Sequence, residues 1–328
     1  MDKPLHSTVL VTGCTGHIGS WLVLRLLEKG YSVRAAVLDP EDKQDVQPLL
    51  GLAPSLAERL EIVKADLRVK GDFDKVAQGC DGVFHLACPT NFLVEDPQKD
   101  VIEPAVQGTL NVLNACVKSS SVKRVIHVSS AAAIRFSGKE VAEQVFDESC
   151  WTDVDFCIDN KIPGWPYFVG KTLGEKAAVE FAKEHNLDLV VVNPSIVHGP
   201  FLLSNIPNSV KDCLALITGE LFKLPFLARM SYIHTDDLVR AFIFLYENPE
   251  ASGRYICSAV DASITEVVNI ISSRYPEFKI PTDLAYLGEP VIHYFDSSKL
   301  KRLGFQFNFT LEDMYHDAIK CCKEKGLL

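Results

Sequence analysis

The sequence predicts an α/β fold with a doubly wound parallel sheet and a smaller C-terminal lobe, and three observations point to it. A buried strand, a glycine-rich turn and a helix follow one another in VLVTGCTGHIGSWLVLRLLEKG, from Val9 to Gly30. Apolar runs and helical segments then alternate through the first half of the chain, and this alternation stops after Asn193. Such alternation specifies parallel strands joined by right-handed crossovers, with helices on both faces.

The glycine-rich turn is suited to a dinucleotide. Gly13 allows a tight turn, Gly16 lets the backbone approach a pyrophosphate, and Gly19 lets the helix pack against the strand. The helix N-terminus then directs unpaired N–H groups and the positive end of its dipole at the phosphates. Strand, turn and helix in this order predict a dinucleotide-binding (Rossmann) site.

Five further apolar runs have the length and composition of buried strands. These runs are Tyr31–Val37, Leu60–Ala65, Gly82–Ala87, Val122–Val128 and Leu187–Val192. Apolar residues at helical spacing occupy positions 101–117, between the third and fourth of these runs, and another helix contains Glu175–Lys183. The first half of the chain therefore consists of repeated strand–helix units.

The second half has fewer recognisable elements. Arg254–Ser258 is the segment there that resembles a strand, and two capping boxes predict helices. The capping boxes are Ser263 with Glu266 and Thr310 with Asp313. We therefore assign residues 1–194 to the dinucleotide-binding domain, with 232–259 returning to it. We assign residues 195–231 and 260–328 to a substrate-binding lobe.

Composition and charge exclude several classes of protein. The 328 residues are 47% hydrophobic, which is enough for a large core. A net charge of −10 without a basic run argues against nucleic acid as a partner. No apolar segment is long enough to span a bilayer, and Met1–Ser7 does not have the character of a signal peptide. We therefore expect a cytoplasmic protein.

The cysteines and one acidic cluster do not predict a metal site. The ten cysteines include no Cys-x-x-Cys pair and no Cys/His cluster at zinc spacing. Cys150 and Cys157 are close enough in sequence to form a disulfide, although two free thiols are favoured in a reducing compartment. His234, Asp236 and Asp237 are interpreted as the start of a helix with acids in its first turn, rather than as a metal site or a catalytic triad.

Tyr167 and Lys171 could support acid–base chemistry. They lie four residues apart in the helical segment YFVGKTLGEKAAVEFAKEH, and positions i and i+4 share one face of a helix. An ammonium beside a phenol favours the phenolate, which brings a tyrosine into the range of acid–base catalysis. Ser129 and Ser130 follow the strand Val122–Val128 at the ligand-binding edge of the sheet, where a serine can donate to a carbonyl oxygen. A surface pair and a helix-capping serine are the alternatives.

These residues and their surroundings resemble the extended short-chain dehydrogenase/reductase family. Within that family the chain is similar to plant dihydroflavonol 4-reductase, vestitone reductase and cinnamoyl-CoA reductase. The similar stretches are TGCTGHIGSWLVLRLLEKGYSVRA, DESCW, YFVGKTLGE, NPSIVHGPF, YIHTDDL and ENPEASGRYICS. They extend over nearly the whole chain, from Val9 to Leu328, so the resemblance does not depend on a single motif.

The resemblance implies a role for each matching residue. Tyr167 would protonate the nascent alkoxide, Lys171 would assist it and hold the nicotinamide ribose, and Ser130 would polarise the carbonyl. Asp66 would accept from the adenine amino group, with a helix N-cap as an equal alternative. The implied cofactor-binding residues are Gly13, Thr15, Gly16, His17, Ile18, Gly19, Leu38, Asp39, Asp66, Leu67, Ala87, Cys88, Tyr167, Lys171, Pro194, Val197 and Ser209. The implied substrate-binding residues are Ser130, Arg135, Phe168 and Ser231.

The end of the second strand departs from the pattern of these reductases. An arginine that binds the 2′-phosphate of NADP is usual there, but Leu38 holds this position, and Asp45 aligns with a helpful lysine. Arg34 shares the strand face with Leu38 but lies about 13 Å back, at about 3.3 Å per residue. Asp39 stands where an NAD enzyme has its ribose-binding acid. The resemblance therefore implies NADP(H), whereas these residues make NAD(H) possible.

The substrate end departs as well. Arg135 aligns with an asparagine that recognises the dihydroflavonol, and Ser231 aligns with a glutamine. An arginine brings a charge and several donors where a neutral amide stood. An aromatic or polyketide-like ketone, with or without an acidic group, is therefore expected at least as readily as a dihydroflavonol. The cinnamoyl-CoA branch is disfavoured, because WPYFVGK replaces its Asn-Trp-Tyr-Cys run.

We predict an NAD(P)H-dependent reductase of a ketone in plant specialised, phenolic or flavonoid-like, metabolism. It would act on a small molecule as a monomer or homodimer. A reductase of another carbonyl class is the first alternative, with an alkaloid hemiacetal, a cinnamoyl-type aldehyde or thioester, or a steroid as substrate. A cofactor-binding protein without turnover is the second, and the joint presence of Ser130, Tyr167 and Lys171 argues against it.

Overall fold

A central parallel sheet organises the fold. The computed structural model describes residues 7–88, 94–136, 138, 143–281, 284 and 292–328, so the prediction about a signal peptide at Met1–Ser7 falls outside them except at Ser7.

The strands are β1 (Thr8–Thr12), β2 (Ser32–Val37), β3 (Leu60–Lys64), β4 (Gly82–His85), β5 (Arg124–Val128), β6 (Glu143–Phe146), β7 (Leu189–Pro194), β8 (Ile196–His198), β9 (Arg229–His234), β10 (Gly253–Cys257), β11 (Val260–Ser263) and β12 (Ile292–Phe295). The α-helices are α1 (His17–Glu28), α2 (Gln47–Leu50), α3 (Pro54–Ala57), α4 (Phe73–Val76), α5 (Glu103–Lys118), α6 (Val154–Asp159), α7 (Trp165–Glu184), α8 (Asn208–Cys213), α9 (Ala215–Thr218), α10 (Leu224–Leu227), α11 (Thr235–Glu247), α12 (Ile264–Arg274), α13 (Ser298–Arg302) and α14 (Leu311–Glu324). A π-helical turn at Gln98–Ile102 leads into α5, and 3-10 turns occur at Ala131–Ala133 and Leu221–Lys223.

The central sheet has seven parallel strands in the order β10-β7-β5-β4-β1-β2-β3. The strand order reverses between β1 and β4, which creates a crevice at the carboxyl edge of the sheet. The prediction of a doubly wound sheet is confirmed. The predicted strands of this sheet are present, with ends displaced by one or two residues.

Helices cover both faces of the central sheet. Val9 and Val11 of β1 belong to one buried cluster, together with apolar residues of α1 and α11. Leu10 belongs to a second cluster, together with residues of α4, α5 and α7. Because alternate side chains of a strand point to opposite faces, β1 contributes to both layers, and this explains its continuous apolar run.

The C-terminal lobe contains two small sheets that the sequence analysis does not predict. Strands β8, β9 and β11 form one sheet, and β6 pairs with β12 in the other. These strands have three to six residues, and polar residues interrupt the continuous apolar run that marks the strands of the central sheet. Helices α8, α9, α12 and α14 pack against the three-stranded sheet. Both predicted capping boxes are confirmed, at the starts of α12 and α14.

Several elements pack across the predicted division of the chain. Helix α11 packs on the central sheet, and β10 is its edge strand beside β7. Residues Tyr232–His234 belong to β9, which pairs with β8 and β11. Leu300 of α13 belongs to the same buried cluster as α11, and β6 pairs with β12. The boundaries of the two units therefore stay a prediction.

Two predictions concern the chain as a whole. Within the described ranges, no helix is both long and apolar enough to cross a membrane. All ten cysteines are free thiols, including Cys150 and Cys157, and burial raises the pKa of the Cys157 thiol to about 11. The favoured alternative of two free thiols is therefore the one present in the structure.

Candidate active site

A cleft of about 1040 Å³ crosses the carboxyl edge of the central sheet. Loops that follow the strands of the sheet line one side, and residues of β9 and β12 line the other. Doubly wound folds bind their ligands at this edge, where the strand order reverses. All the cofactor- and substrate-binding residues named above line the cleft except Asp39.

The glycine turn forms one end of the cleft. Gly13 has a φ of +67°, and a Cβ there would lie 2.8 Å from the Ala87 nitrogen. A Cβ at Gly19 would lie 2.0 Å from the Gly13 carbonyl oxygen, so the turn itself requires both glycines. At Gly16 a Cβ would meet that oxygen at an ordinary 3.5 Å, its one contact within 4 Å among the described residues. The space above Gly16 is therefore a cradle that fits an approaching pyrophosphate.

Helix α1 begins at this cradle. Gly16 is its N-cap, and among the described residues no side chain caps the helix and no acid lies in its first turn. The N–H groups of the first turn and the positive end of the helix dipole are therefore not neutralised by the helix's own side chains. This end of the cleft fits the pyrophosphate of a dinucleotide.

The end of β2 leads to the next part of the cleft. Leu38 is 56% exposed there, and Asp45 also lines the cleft. Asp39 follows the end of β2, and its carboxylate accepts from the Glu41 N–H at 3.1 Å. Its contact with a cofactor ribose stays a prediction. Arg34 is held in an ion pair with a residue of β3 and is not among the lining residues.

Asp66 and Arg68 form a pair at the end of β3. Nη2 of Arg68 donates to Oδ2 of Asp66 at 2.6 Å, and the Arg68 N–H donates to Oδ1 at 2.9 Å. These hydrogen bonds lower the pKa of Asp66. Asp66 closes a turn and no helix begins in this described stretch, so the alternative of a helix N-cap is wrong. Sequence reasoning missed Arg68, which also lines the cleft.

Ser130, Tyr167 and Lys171 line the same cleft beyond the glycine turn. Tyr167 lies in the first turn of α7, and Lys171 lies one turn further along the helix. Lys171 is 7% exposed, and its Nζ donates to the Val128 carbonyl oxygen at 2.8 Å, which leaves two of its three donors for other acceptors. Oγ of Ser130 accepts from the Ala132 N–H at 3.1 Å, so the serine caps the 3-10 turn and keeps its own proton for donation.

A buried ion pair connects the elements behind the cleft. Glu175 of α7 is fully buried, and the Arg254 Nε donates to its carboxylate at 2.5 Å. Ser129 donates to the same carboxylate at 2.5 Å and Asn193 donates at 2.7 Å, while Asn193 also donates to the Ser130 carbonyl oxygen. The network joins α7, β5, β7 and β10, and therefore fixes the helix with the tyrosine and lysine relative to Ser130. Sequence reasoning missed it, because its partners are far apart in the chain.

The lobe side of the cleft is aromatic and basic. Phe168 stacks on Phe136 with ring centroids 4.6 Å apart, and the Arg135 guanidinium lies 5.7 Å from the Phe136 centroid. The Ser231 hydroxyl donates to the carboxylate of Asp261, so this serine is engaged by the protein itself. A substrate contact by Ser231 would therefore use its oxygen as an acceptor.

Several lining residues on this side carried no sequence signal. Arg229 and Met230 lie on β9, and His293 and Phe295 lie on β12, two strands that the sequence did not reveal. His234 lies at the other end of β9 and is the N-cap of α11, where its Nδ1 accepts from a backbone N–H of the first turn at 3.0 Å. The interpretation of this acidic segment as a helix start is confirmed.

Comparison with known proteins decides the family. The model of the NAD dependent epimerase/dehydratase family matches residues 9–258. The chain belongs to this family. A dihydroflavonol 4-reductase from Gerbera hybrida is 45% identical to this chain over 330 residues, which cover 100% of this chain and 89% of the relative.

Two solved structures are similar to this member of the epimerase/dehydratase family over nearly its whole length. Vestitone reductase from alfalfa (Medicago sativa) has a TM-score of 0.87 at 38% identity, covering 98% of this chain and 99% of that one. Yeast methylglyoxal/isovaleraldehyde reductase Gre2, solved as a complex with NADPH, has a TM-score of 0.81 at 26% identity, covering 98% and 100%. The predicted resemblance to plant dihydroflavonol 4-reductase and vestitone reductase is confirmed, and these relatives are oxidoreductases.

Proposed function

We propose that this chain is an NADPH-dependent reductase of a ketone in plant specialised metabolism, with a phenolic, flavonoid-like substrate. The observation that carries the proposal is the presence of Ser130, Tyr167 and Lys171 in the cleft that the glycine cradle opens. A protein that only bound a dinucleotide would use the cradle and Lys171, but it would not need the Ser130 hydroxyl as a donor or Tyr167 as an acid. The names of the relatives from Gerbera hybrida and alfalfa support the substrate class.

The glycine end of the cleft would hold the cofactor. The first-turn N–H groups of α1 would bind the pyrophosphate, and Leu38, Asp66 and Arg68 line the stretch of the cleft that would hold the adenosine. The two remaining donors of Lys171 would hold the hydroxyls of the nicotinamide ribose. When bound, the cofactor supplies a hydride to the carbonyl carbon.

Ser130 and Tyr167 act on the carbonyl oxygen of the substrate. The Ser130 hydroxyl donates a hydrogen bond to that oxygen as negative charge develops on it. The Tyr167 phenol gives its proton to the same oxygen, which becomes the hydroxyl of the product alcohol. The buried ammonium of Lys171, anchored on the Val128 carbonyl, stabilises the phenolate that remains.

The local charges bear on the choice of cofactor. Leu38 provides no positive charge for a 2′-phosphate, and Asp45 adds a negative one nearby. Arg68 provides a guanidinium on the same stretch of the cleft. Its ion pair with Asp66 is exposed, and such pairs contribute little stability, so Arg68 can turn to a phosphate. The yeast neighbour that binds NADPH supports the same choice.

The test is the oxidation of NADPH or NADH in the presence of dihydroquercetin, a dihydroflavonol, or vestitone. We expect absorbance of the reduced nicotinamide to fall with at least one of these ketones, faster with NADPH than with NADH, and mass spectrometry to show the alcohol. Fluorescence titration measures NADPH binding separately. Tight NADPH binding without turnover of either ketone would favour a binding protein over a reductase of this substrate class.

We further propose a cytoplasmic protein that exists as a monomer or homodimer and does not bind nucleic acid. The net charge of −10 supports the last point, because a phosphate backbone attracts basic surfaces. Size-exclusion chromatography with light scattering measures the oligomeric state, and a larger assembly would contradict it.

A further inference from the structure

Two arginines on the lobe side of the cleft have unusual surroundings. Arg135 and Arg229 both line the cleft, and the Nε atom of each is buried without a hydrogen-bond partner in the described part of the chain. Buried donors are normally paired, because an unsatisfied one loses its hydration without compensation. Both side chains bring a positive charge to this wall of the cleft, and among the described residues no acceptor uses their Nε atoms.

Three segments contribute polar side chains to this wall of the cleft: the residues after the 3-10 turn that follows β5, strand β9 and strand β12. Arg135 follows the 3-10 turn after β5, and Arg229 is the first residue of β9. Nη1 of Arg135 lies 3.8 Å from the sulfur of Met230, the neighbour of Arg229 in sequence. His293 of β12 also lines the cleft with a buried, unpartnered Nδ1, and its pKa is lowered by burial and by the charge of Arg135. His293 is therefore neutral and adds a polar atom beside the two cations.

The protein compensates these charges only in part. The Arg135 guanidinium lies 5.7 Å from the Phe136 ring centroid, and that of Arg229 lies 5.5 Å from the Tyr294 centroid. Burial lowers the pKa of Arg135, which shows that its charge is poorly solvated. The charge of Arg229 acts to lower the pKa of both Asp261 and Glu266, and these carboxylates accept hydrogen bonds from the Ser231 and Ser263 hydroxyls. Aromatic faces attract a cation without using its N–H donors.

We propose that Arg135 and Arg229 bind a carboxylate of the substrate, so that the preferred substrate is an aromatic ketone that carries an acidic group. The inference rests on the proposed reductase function. A carboxylate has two oxygens that accept from guanidinium donors, and such charge-assisted bonds are stronger than neutral ones. The phosphates of the cofactor do not compete, because the glycine cradle and α1 hold them at the other end of the cleft.

The experiment compares two ketones that differ in one charge, para-acetylbenzoate and its methyl ester, with NADPH as reductant. We expect the KM of wild-type protein to be about tenfold lower for the acid than for the ester. R135Q and R229Q should each raise the KM for the acid about 10- to 100-fold, the range of one charge-assisted hydrogen bond. The readout is the ratio of the two KM values in each variant, because the ester cannot accept the same charge-assisted bond and its KM should rise much less than that of the acid.

Matched variants separate charge from folding. R135K keeps the positive charge and should retain most of the preference for the acid, whereas R135Q should lose it. R302Q replaces an exposed arginine of α13 outside the cleft and should change neither KM. Equal KM values for acid and ester in wild type, or an unchanged preference in both R135Q and R229Q, would overturn the carboxylate site while leaving the reductase function standing.

Calorimetric titration of para-acetylbenzoate into protein saturated with NADP⁺ tests the same site without turnover. Binding to wild type that R135Q and R229Q both weaken supports the carboxylate site even if no ketone is reduced, and in that case only the reductase function fails. Failure of para-acetylbenzoate to bind wild-type protein would overturn the carboxylate site.

Discussion

The stability of the protein should fall steeply between pH 7.5 and 5.5, because three buried histidines resist protonation in the folded state. His85, His127 and His198 are 1%, 4% and 0% exposed. Burial lowers the pKa of His85 and of His198 to about 3, and it lowers the pKa of His127 well below its ordinary value. Each of these imidazoles is therefore neutral in the folded protein throughout this range.

The magnitude follows from the difference in bound protons. In the unfolded chain each histidine has a pKa near 6.5. Because the folded pKa is lower, the unfolded state binds more protons, so stability is fully present above about pH 6.5 and is lost as the pH falls towards 3. Because the unfolded pKa lies in the middle of the range, each histidine removes about 1.4 kcal/mol over the whole range from pH 7.5 to 5.5, so the three together remove about 4 kcal/mol. A domain has only about 5–15 kcal/mol in total.

Urea unfolding at the two pH values measures this difference. His198→Phe keeps a ring beside Tyr315, whose centroid lies 4.4 Å away, and should reduce the difference from about 4 to about 3 kcal/mol. The control is His185→Asn at an exposed histidine, which should leave the difference unchanged. A difference below about 1 kcal/mol in wild type, or an equal difference in His198→Phe, would refute the reasoning.

Three further substitutions test other contacts. Leu38→Arg should lower the KM for NADPH about tenfold and leave that for NADH nearly unchanged, because a guanidinium at this exposed position adds a charge-assisted contact to the 2′-phosphate. Arg254→Met should reduce the free energy of unfolding by about 3–5 kcal/mol, because it leaves buried Glu175 unpaired. Gly19→Ala should abolish NADPH binding, because its Cβ would lie 2.0 Å from the Gly13 carbonyl oxygen and displace the turn.

Steady-state kinetics with both cofactors, urea unfolding and fluorescence titration measure these effects in turn. Arg254→Met combined with Glu175→Leu should recover most of the lost stability, since neither charge then stays buried alone. Gly51→Ala is the control for the glycine turn, because its Cβ would meet neighbouring atoms at an ordinary 3.5 Å. An unchanged KM for NADPH in Leu38→Arg would contradict the contact with the 2′-phosphate. A loss of less than about 1 kcal/mol in Arg254→Met would contradict the cost of leaving Glu175 unpaired. Normal NADPH binding by Gly19→Ala would contradict the displacement of the glycine turn.

The features that could be predicted from the sequence depend on neighbours in the chain. The glycine turn acts within a few residues, since Gly19 packs on Gly13, and its spacing therefore reveals the cradle. Tyr167 and Lys171 share a helix face because of the helical period alone. The strands of the central sheet are buried on both faces, so each appears as an apolar run of recognisable length.

The features that could not be predicted depend on contacts across the chain. Glu175 and Arg254 are 79 residues apart, and only the fold brings them together. Arg135 was recognised through the resemblance, but Arg229 lies on β9, whose sequence has no continuous apolar run that would reveal a strand. The turn after β2, in which the Asp39 carboxylate accepts from the Glu41 N–H, could not be predicted from the distance to the glycines.

The most direct test of the proposed reductase chemistry is the turnover number of Tyr167→Phe on a ketone that wild-type protein reduces. This substitution removes one hydroxyl and keeps the ring that contacts Phe168. If the phenol gives its proton to the carbonyl oxygen, kcat should fall about 100-fold or more while the Kd for NADPH changes by less than about threefold. A variant that reduces the ketone as fast as wild type would contradict the assignment of the acid.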